Sequence, residues 1–391
     1  MKIHFKTFGC KVNQCETADM QREAERAGCN LSAIQNSDVI VVNSCTVTAG
    51  ADNKTKQFLR KCKRMNPGSK IFLTGCLADR AEKAMKKEFP GIKLFRNSDK
   101  IKILDVLKVK SMCEQNSVQN GFNGHTRAFL KIQDGCDGKC SYCVVPKVRP
   151  KLESKDIDEV VVEAKKYVSA GHKEIVLCGI RLGKYKFRGQ GLVDLIIKLE
   201  KINGLYRIRL SSIELKDIND KLMGLMSKSK RLCHHLHIPL QSGDDAILKS
   251  MKRPYNLCSF YKKIKEIGKK VPDIGITTDI IIGYPLDTDE SLQNTYNFVG
   301  KCGFSRLHVF KFSKRPGTKA ALIKSECPTN IVDKWGNKFK ELDLKLRKNF
   351  LERYSGKKMK VLSETNGYGY TSNYMYVKLP KNVPANEIVY I

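Results

Sequence analysis

The sequence predicts an α/β protein in three parts: an amino-terminal parallel-sheet α/β domain over residues 1–110, a central open (βα)6 unit over 125–345, and a small carboxy-terminal β-barrel over 355–391. Three observations predict it. Strand and helix patterns alternate through the first hundred residues. They restart with a longer period from Arg127, and beyond Ser355 they give way to short strands separated by Gly, Asn and Pro. Alternation of strand and helix calls for parallel strands joined by right-handed crossovers. A length of 391 residues suits two or three domains, and 41% hydrophobic residues can build real cores.

In the first part Ile3–Phe8 alternates as a strand, and Glu16–Ala27 reads as a helix stopped by Gly28. Val39–Val42 is a buried strand, Ala51–Arg64 a basic helix ending near Pro67, Ile71–Leu73 a third strand, and Asp79–Glu88 a third helix closed by Pro90. The stretch Val109–Gly124, with its Gln, Asn, Ser and Gly, reads as a linker. The second part has six strand patterns: Ala128–Gln133, Glu174–Cys178, Arg207–Ser211, His234–Ile238, Ile276–Ile282 and Arg306–Phe312. Helical patterns at Ile157–Ala170, Leu192–Ile202, Tyr261–Val271 and Glu290–Cys302 lie between them. Six units are too few for a closed eight-unit barrel but suit an open one, with chemistry at the carboxyl ends of the strands. A long basic helix over 331–354 leads to the strands Lys358–Ser363, Gly369–Leu379 and Glu387–Ile391, the expected accessory barrel.

The formal net charge is +32, from 72 Lys+Arg against 40 Asp+Glu. A polyanionic partner would relieve the self-repulsion, and nucleic acid also gains from counterion release. A lysine-rich composition bias would give the same excess, so charge alone does not name the partner. The start, MKIHFKTFGCKVNQ, lacks a signal-peptide core, and no run of about 18 apolar residues occurs. The expected location is the cytoplasm, where the 15 cysteines would be thiols rather than disulfides.

Two cysteine patterns carry the chemistry. Asp134-Gly-Cys136-Asp-Gly-Lys-Cys140-Ser-Tyr-Cys143 is C-x3-C-x2-C on the loop after the first strand of the second part. Such a loop can wrap a cubane cluster with three thiolates and leave one iron open for a small molecule. A zinc site lacking its fourth ligand, or chance clustering, would share the pattern. Zinc sites, however, usually supply a second pair close by, and none follows. In the first part Cys10, Cys45 and Cys76 each follow a strand, 35 and 31 residues apart, so parallel topology would bring them to one sheet edge. Cys15, Cys29, Cys62, Cys113 and Cys178 read as buried hydrophobes or free thiols.

C-x3-C-x2-C on a first βα loop resembles the radical-SAM superfamily, and the continuation Cys143-Val-Val-Pro-Lys-Val-Arg149 resembles its methylthiotransferase branch. TFGCKVNQ, VVNSCTVT and TGC resemble that family's amino-terminal domain. The resemblance implies two [4Fe-4S] clusters: one on Cys136, Cys140 and Cys143 that binds S-adenosyl-L-methionine, and an auxiliary one on Cys10, Cys45 and Cys76 where sulfur chemistry occurs. In the implied reaction one S-adenosylmethionine methylates sulfur. A second is reduced to a 5′-deoxyadenosyl radical that takes hydrogen from an unactivated carbon of a base. Polar side chains could not activate C2 of adenine, and no catalytic side chain is singled out.

Glu214, in a segment resembling the family's SSIE, together with Gln241 and Asp279, is the candidate for cofactor contact, although such residues after strands also serve as helix caps. His234, His235 and His237 alternate along a strand, which argues against a metal site formed by the three. HVFKFSKRPGT resembles a family segment but has Lys311 where an aromatic is more usual.

The tail, with Tyr368, Tyr370, Tyr374 and Tyr376 expected on mixed faces, resembles the RNA-associated TRAM barrel. TFGCKVNQCET, VVNSCTVT and the short tail resemble enzymes that act on N6-threonylcarbamoyladenosine at position 37 of tRNA. Branches acting on N6-isopentenyladenosine or on a ribosomal-protein aspartate are alternatives, and a non-catalytic RNA-binding iron–sulfur protein is the reading from another class. The implied partners are tRNA and a reductant protein or other electron donor, with no membrane and no DNA.

Overall fold

The computed structural model describes residues 1–100, 102–106 and 125–391. The expected linker and Cys113 therefore fall outside the described residues. The amino-terminal elements are β1 (Lys2–Thr7), α1 (Lys11–Arg26), β2 (Asn30–Leu31), β3 (Val39–Ser44), α2 (Ala49–Met65), β4 (Lys70–Gly75), α3 (Cys76–Glu88), β5 (Lys93–Leu94) and α4 (Lys102–Val106). The five strands form one parallel sheet, in the order β2-β1-β3-β4-β5. Apolar side chains such as Ile40, Val42 and Leu73 fill one face, and Ile3, Val41 and Phe72 the other. A sheet packed on both faces can present function only at its strand ends.

α1 begins five residues before the expected Glu16. Its buried residues include Asn13, Glu16 and Thr17, so the face turned inward is polar and hides the helical period. α3 likewise begins at Cys76 rather than Asp79, directly after the strand.

The central unit comprises β6 (Ala128–Asp134), α5 (Val145–Val148), β7 (Glu153–Ser154), α6 (Ile157–Ser169), β8 (Glu174–Gly179), the two-residue strands β9 (Lys186–Phe187) and β10 (Gln190–Gly191), α7 (Leu192–Glu200), β11 (Arg207–Leu210), α8 (Asp220–Lys228), β12 (His235–His237), α9 (Asp245–Ser250), α10 (Leu257–Lys270), β13 (Gly275–Ile282), α11 (Asp289–Cys302), β14 (Arg306–Lys311) and α12 (Thr329–Glu352). Six parallel strands run in the order β6-β8-β11-β12-β13-β14. The middle step is made by the isolated bridges Ile208–Leu232 and Ser212–His237. This is the expected open (βα)6 arrangement. Val12 and Cys15 of α1 belong to the same apolar core as the barrel strands, so the amino-terminal domain packs against the barrel through α1. A second tie joins Asp52 to Arg315, with Ala49 N–H donating to Ser313 Oγ at 2.8 Å.

The tail differs from the expected barrel. β15 (Lys360–Ser363), β16 (Tyr368–Thr371), β17 (Tyr376–Lys378) and β18 (Ile388–Tyr390) form an antiparallel sheet in the order β17-β16-β15-β18, whose ends do not pair with each other. Four strands of three or four residues are too few and too short to close. The expected strand Gly369–Leu379 is two strands, broken where Tyr374 takes φ +71°. The sheet docks on the barrel through buried arginines: Arg207 donates to the carbonyls of Tyr370 and Lys360, and Arg209 to those of Ser372 and Thr371.

Arg209 also pairs with Glu174, which is wholly buried, at 2.7 and 3.2 Å. Burial by itself would raise the Glu174 carboxyl, but Arg209 with Arg127 and Arg207 lowers it from 4.5 to about 2. A shift of that size is worth about 3 kcal/mol. Because the folded value lies below the unfolded one, this stability is complete above about pH 5 and lost as pH falls toward 2. Urea midpoints of the wild type should therefore fall across that window more steeply than those of E174Q. Parallel curves would show that the pair contributes nothing.

Candidate functional site

The three amino-terminal cysteines meet at one sheet edge, as topology requires. Cys45 and Cys76 directly follow β3 and β4, which pair in register through Ser44 and Gly75, and Cys10 follows β1. Two glycines permit the approach. Gly9, at φ +111°, has the Cys45 side chain where its own Cβ would be, 2.6 Å from Cys45 Cβ; Gly75, at φ +92°, leaves only 2.3 Å to the Ser44 carbonyl oxygen. Any side chain at either position would push the cysteine loops apart. Asn13, fully buried, clamps the same loops by donating to the carbonyls of Phe8 (2.9 Å) and Ser44 (3.0 Å). Asn43 in turn donates to the Asn13 carbonyl and to Thr17 Oγ1.

The sulfurs of Cys10, Cys45 and Cys76 lie within electrostatic reach of one another. Burial pushes the Cys45 thiol up to about 11, with Cys76 and Cys10 adding to the rise. In the second trio Cys143 behaves in the same way. Burial pushes Cys143 up to about 12, reinforced by Cys140 and Cys136. Thiols this reluctant to ionise become thiolates only when a bound cation replaces their protons. Two sulfurs on one zinc, at 2.3 Å each, are at most about 4.6 Å apart. Among the described residues the only group of metal-capable side chains whose ligand atoms all lie within 4.8 Å is His237, Asp279 and His308, so neither cysteine trio is contracted to the span of one ion. Both donor sets therefore suit a cluster better than a single metal.

The first trio meets the segment that follows the second at the junction of the domains, through Cys76. Cys76 packs on Val144 and Val148, in the segment that follows Cys143. Asn97 donates to the Val148 carbonyl at 3.2 Å and stands 3.9 Å from Cys76 Sγ.

The barrel's strand ends surround the second trio with charge. Arg253 donates to Cys140 Sγ (3.4 Å) and to Glu214 Oε2 (2.5 Å), which sets Glu214 beside this trio. Arg181 pairs with Asp137 at 2.6 Å and lies within reach of Cys136, Asp217 and Glu214. Arg181 Nη2 and Asp217 Oδ2 form an ion pair at 3.5 Å, and Arg181 Nε and Ser211 Oγ are buried without hydrogen-bond partners, so polar groups here remain available to a polar ligand. Gln241 adopts φ +75°, a strained conformation for its type, and its backbone pairs with Asp279 and Ile281. Asp279 is engaged by His237 at 3.1 Å and His308 at 3.5 Å. Burial opposes its ionisation, but these imidazoles hold the carboxyl at about 2.

His235 and His237 both bond Thr277 Oγ1, at 3.1 and 2.8 Å, while His234 turns away to Asp273, so the three neighbouring histidines do not share one site. Lys311 pairs with Asp333 on the surface. Cys15 and Cys178 are buried beside each other, and Cys29 and Cys62 are buried. In the tail, Tyr368, Tyr376, Tyr370 and Tyr374 form one continuous stack with centroids 4.7–4.9 Å apart, rather than lying on mixed faces, and the stack ends on His235 at 4.3 Å. Arg127 lies 4.4 Å over Tyr370.

A family model described as the radical SAM superfamily matches residues 130–299, and one described as Uncharacterized protein family UPF0004 matches residues 2–96. The chain is 36% identical over 379 residues to the Threonylcarbamoyladenosine tRNA methylthiotransferase MtaB of Thermotoga maritima, covering 93% of this chain and 86% of that protein. The chain belongs to the radical-SAM methylthiotransferase family. The protein of the same name from Bacillus subtilis is 35% identical, covering 96% and 89%. A family member named tRNA-2-methylthio-N(6)-dimethylallyladenosine synthase, from Endomicrobium trichonymphae, is 33% identical, covering 84% and 80%. Among solved structures, the radical S-adenosylmethionine methyltransferase TsrM from Kitasatospora setae shares the fold at a TM-score of 0.57 and 10% identity, covering 82% of this chain and 77% of that one.

Within this family frame, sequence reasoning missed Asn13, Arg149, Arg181 and Arg253. Asn13 and Arg149 lie inside quoted motifs, but which group each side chain reaches depends on contacts between elements distant in sequence.

Proposed function

We propose that the chain transfers a methylthio group to C2 of N6-threonylcarbamoyladenosine at position 37 of tRNA by radical S-adenosylmethionine chemistry. The observation that carries the reading is the meeting of two cysteine trios at one domain junction, in a chain whose relatives bear the name of that activity. Cys136, Cys140 and Cys143 would hold one [4Fe-4S] cluster, and Cys10, Cys45 and Cys76 the auxiliary one. When bound, these groups supply the electron that cleaves S-adenosylmethionine and the site of sulfur delivery.

The protein's own side chains bind and orient. Glu214, fixed by Arg253, together with Gln241 and Asp279, would contact the S-adenosylmethionine. The Arg181–Asp217 ion pair and the unpartnered Ser211 Oγ suit its charged amino-acid end. Packing of Cys76 on Val144 and Val148 fixes the first trio against the segment that follows the second.

The modules would be 1–110, 125–345 and 355–391, the last a TRAM-like RNA-binding unit whose exposed Tyr368 and Tyr376 suit base stacking. No helix among the described residues is long and apolar enough to cross a membrane, and the reading places the enzyme in the cytoplasm with a low-potential electron donor.

Deletion of the gene tests the reading through nucleoside mass spectrometry of bulk tRNA. The methylthiolated threonylcarbamoyladenosine should vanish and return on complementation. Loss of the methylthiolated isopentenyl nucleoside instead would assign the chain to the other tRNA branch, and survival of both would remove the tRNA assignment.

A further inference from the structure

A block of buried charge lies where the two trios meet. The carbonyl of Arg149 accepts from the Cys136 N–H at 2.9 Å, which fixes it to the loop of the second trio. Its guanidinium reaches back to the first. It grips Glu16 of α1 with two bonds, 2.8 and 2.9 Å, reaches Asp134 at 2.8 Å, and donates to Asn13 Oδ1 at 3.1 Å. Lys100 also lies on Glu16, and Lys131 spans Glu16 (2.7 Å) and Asp134 (2.5 Å). The Arg149, Glu16 and Lys100 side chains are only 2%, 9% and 8% exposed. Asp79 stands at the edge of the block, its carboxylate held by Asn97.

Burying this many charges is expensive, and apolar side chains would join two domains at lower cost. The placement has an electrostatic consequence. Asn13 Oδ1 joins the block to the first trio, accepting from the Arg149 guanidinium at 3.1 Å and standing 3.9 Å from Cys10 Sγ, whereas Arg253 donates to Cys140 Sγ of the other trio.

Resting on the cluster assignment above, we propose that the Arg149–Glu16 charge block sets the reduction potential of the cluster held by Cys10, Cys45 and Cys76. Three thiolates around a four-iron core in its oxidised 2+ state leave a charge of −1, and one electron from a low-potential donor takes it to −2. In a buried site, nearby positive charge favours the reduced form and negative charge the oxidised form. Arg149 thus acts as a positioning residue that also tunes the cluster.

The test is an electron paramagnetic resonance redox titration of the full chain, reconstituted anaerobically, with iron and sulfide content measured on every sample. At the wild-type midpoint of the amino-terminal cluster, R149Q should lower the reduced-to-oxidised ratio about tenfold, equivalent to about 59 mV for one electron. E16Q should raise it by a similar factor. The double variant should return toward wild type, R149K should stay near it, and the signal of the other cluster should not move. K131Q, on strand β6 and outside the Arg149 tie, should give a smaller change in the R149Q direction. If R149Q fails to retain its clusters, the opposite signs of K131Q and E16Q decide the matter. Shifts of the same sign in E16Q and either arginine or lysine variant, or ratios within twofold of wild type with both clusters present, would overturn the proposal. A wild-type chain that holds fewer than two clusters would overturn the cluster assignment instead.

Discussion

Cys140→Ala should abolish methylthiolation, lowering kcat/KM by about 1,000-fold or more, which corresponds to about 4 kcal/mol of lost transition-state stabilisation. Cys140 is the middle sulfur of its loop and the one that receives the Arg253 guanidinium, which in turn holds Glu214. Its loss would remove a ligand and release the pair that positions the S-adenosylmethionine contact. The barrel should still fold, because Cys140 belongs to none of the apolar clusters that build it. Iron content should fall by roughly half, and reductive formation of 5′-deoxyadenosine should cease. Continued 5′-deoxyadenosine formation at the wild-type rate would remove this trio from radical generation.

Cys45→Ala should give the complementary phenotype. Cys45 is buried under Gly9 and beside Cys76, at the edge of a sheet whose core does not need its sulfur. The variant should keep the cluster of the second trio and still form 5′-deoxyadenosine, while methylthiolated tRNA falls below about 1% of wild type. Separation of the two half-reactions is the informative result. A Cys45→Ala enzyme that methylthiolates normally would show that the amino-terminal trio has no part in sulfur delivery. Loss of both activities would point to collapse of the domain junction, which the iron content of the second trio would reveal.

The contrast between α1 and the barrel strands shows where a linear reading succeeds. The barrel strands are apolar runs of ordinary length, and the expected Ala128–Gln133, Glu174–Cys178 and Arg306–Phe312 lie within a residue of β6, β8 and β14. The polar pattern hides the start of α1 because Asn13, Glu16 and Thr17 turn inward, Glu16 into a charge block assembled from four separate segments. Short strands separated by Gly, Asn and Pro, and the resemblance to the TRAM domain, predict a small barrel in the tail. Closure depends on strand number and on what covers the open face, and here the barrel's Arg207 and Arg209 cover it. Asp279 was legible as a polar residue on a strand, but His308, one strand away, decides what that carboxylate does.

Local pattern by itself determined the alternation of strand and helix, the spacing of the two cysteine groups and the sheet edge to which the first trio had to come. These follow from periodicity and from the rule that parallel crossovers align strand ends. Tertiary structure alone decided that the two trios share one junction, that Arg149 joins them, and that the tail is an open sheet held by arginines. Each of those outcomes depends on charge neutralised between segments far apart in the chain, and a one-dimensional pattern holds no record of which buried cation meets which anion.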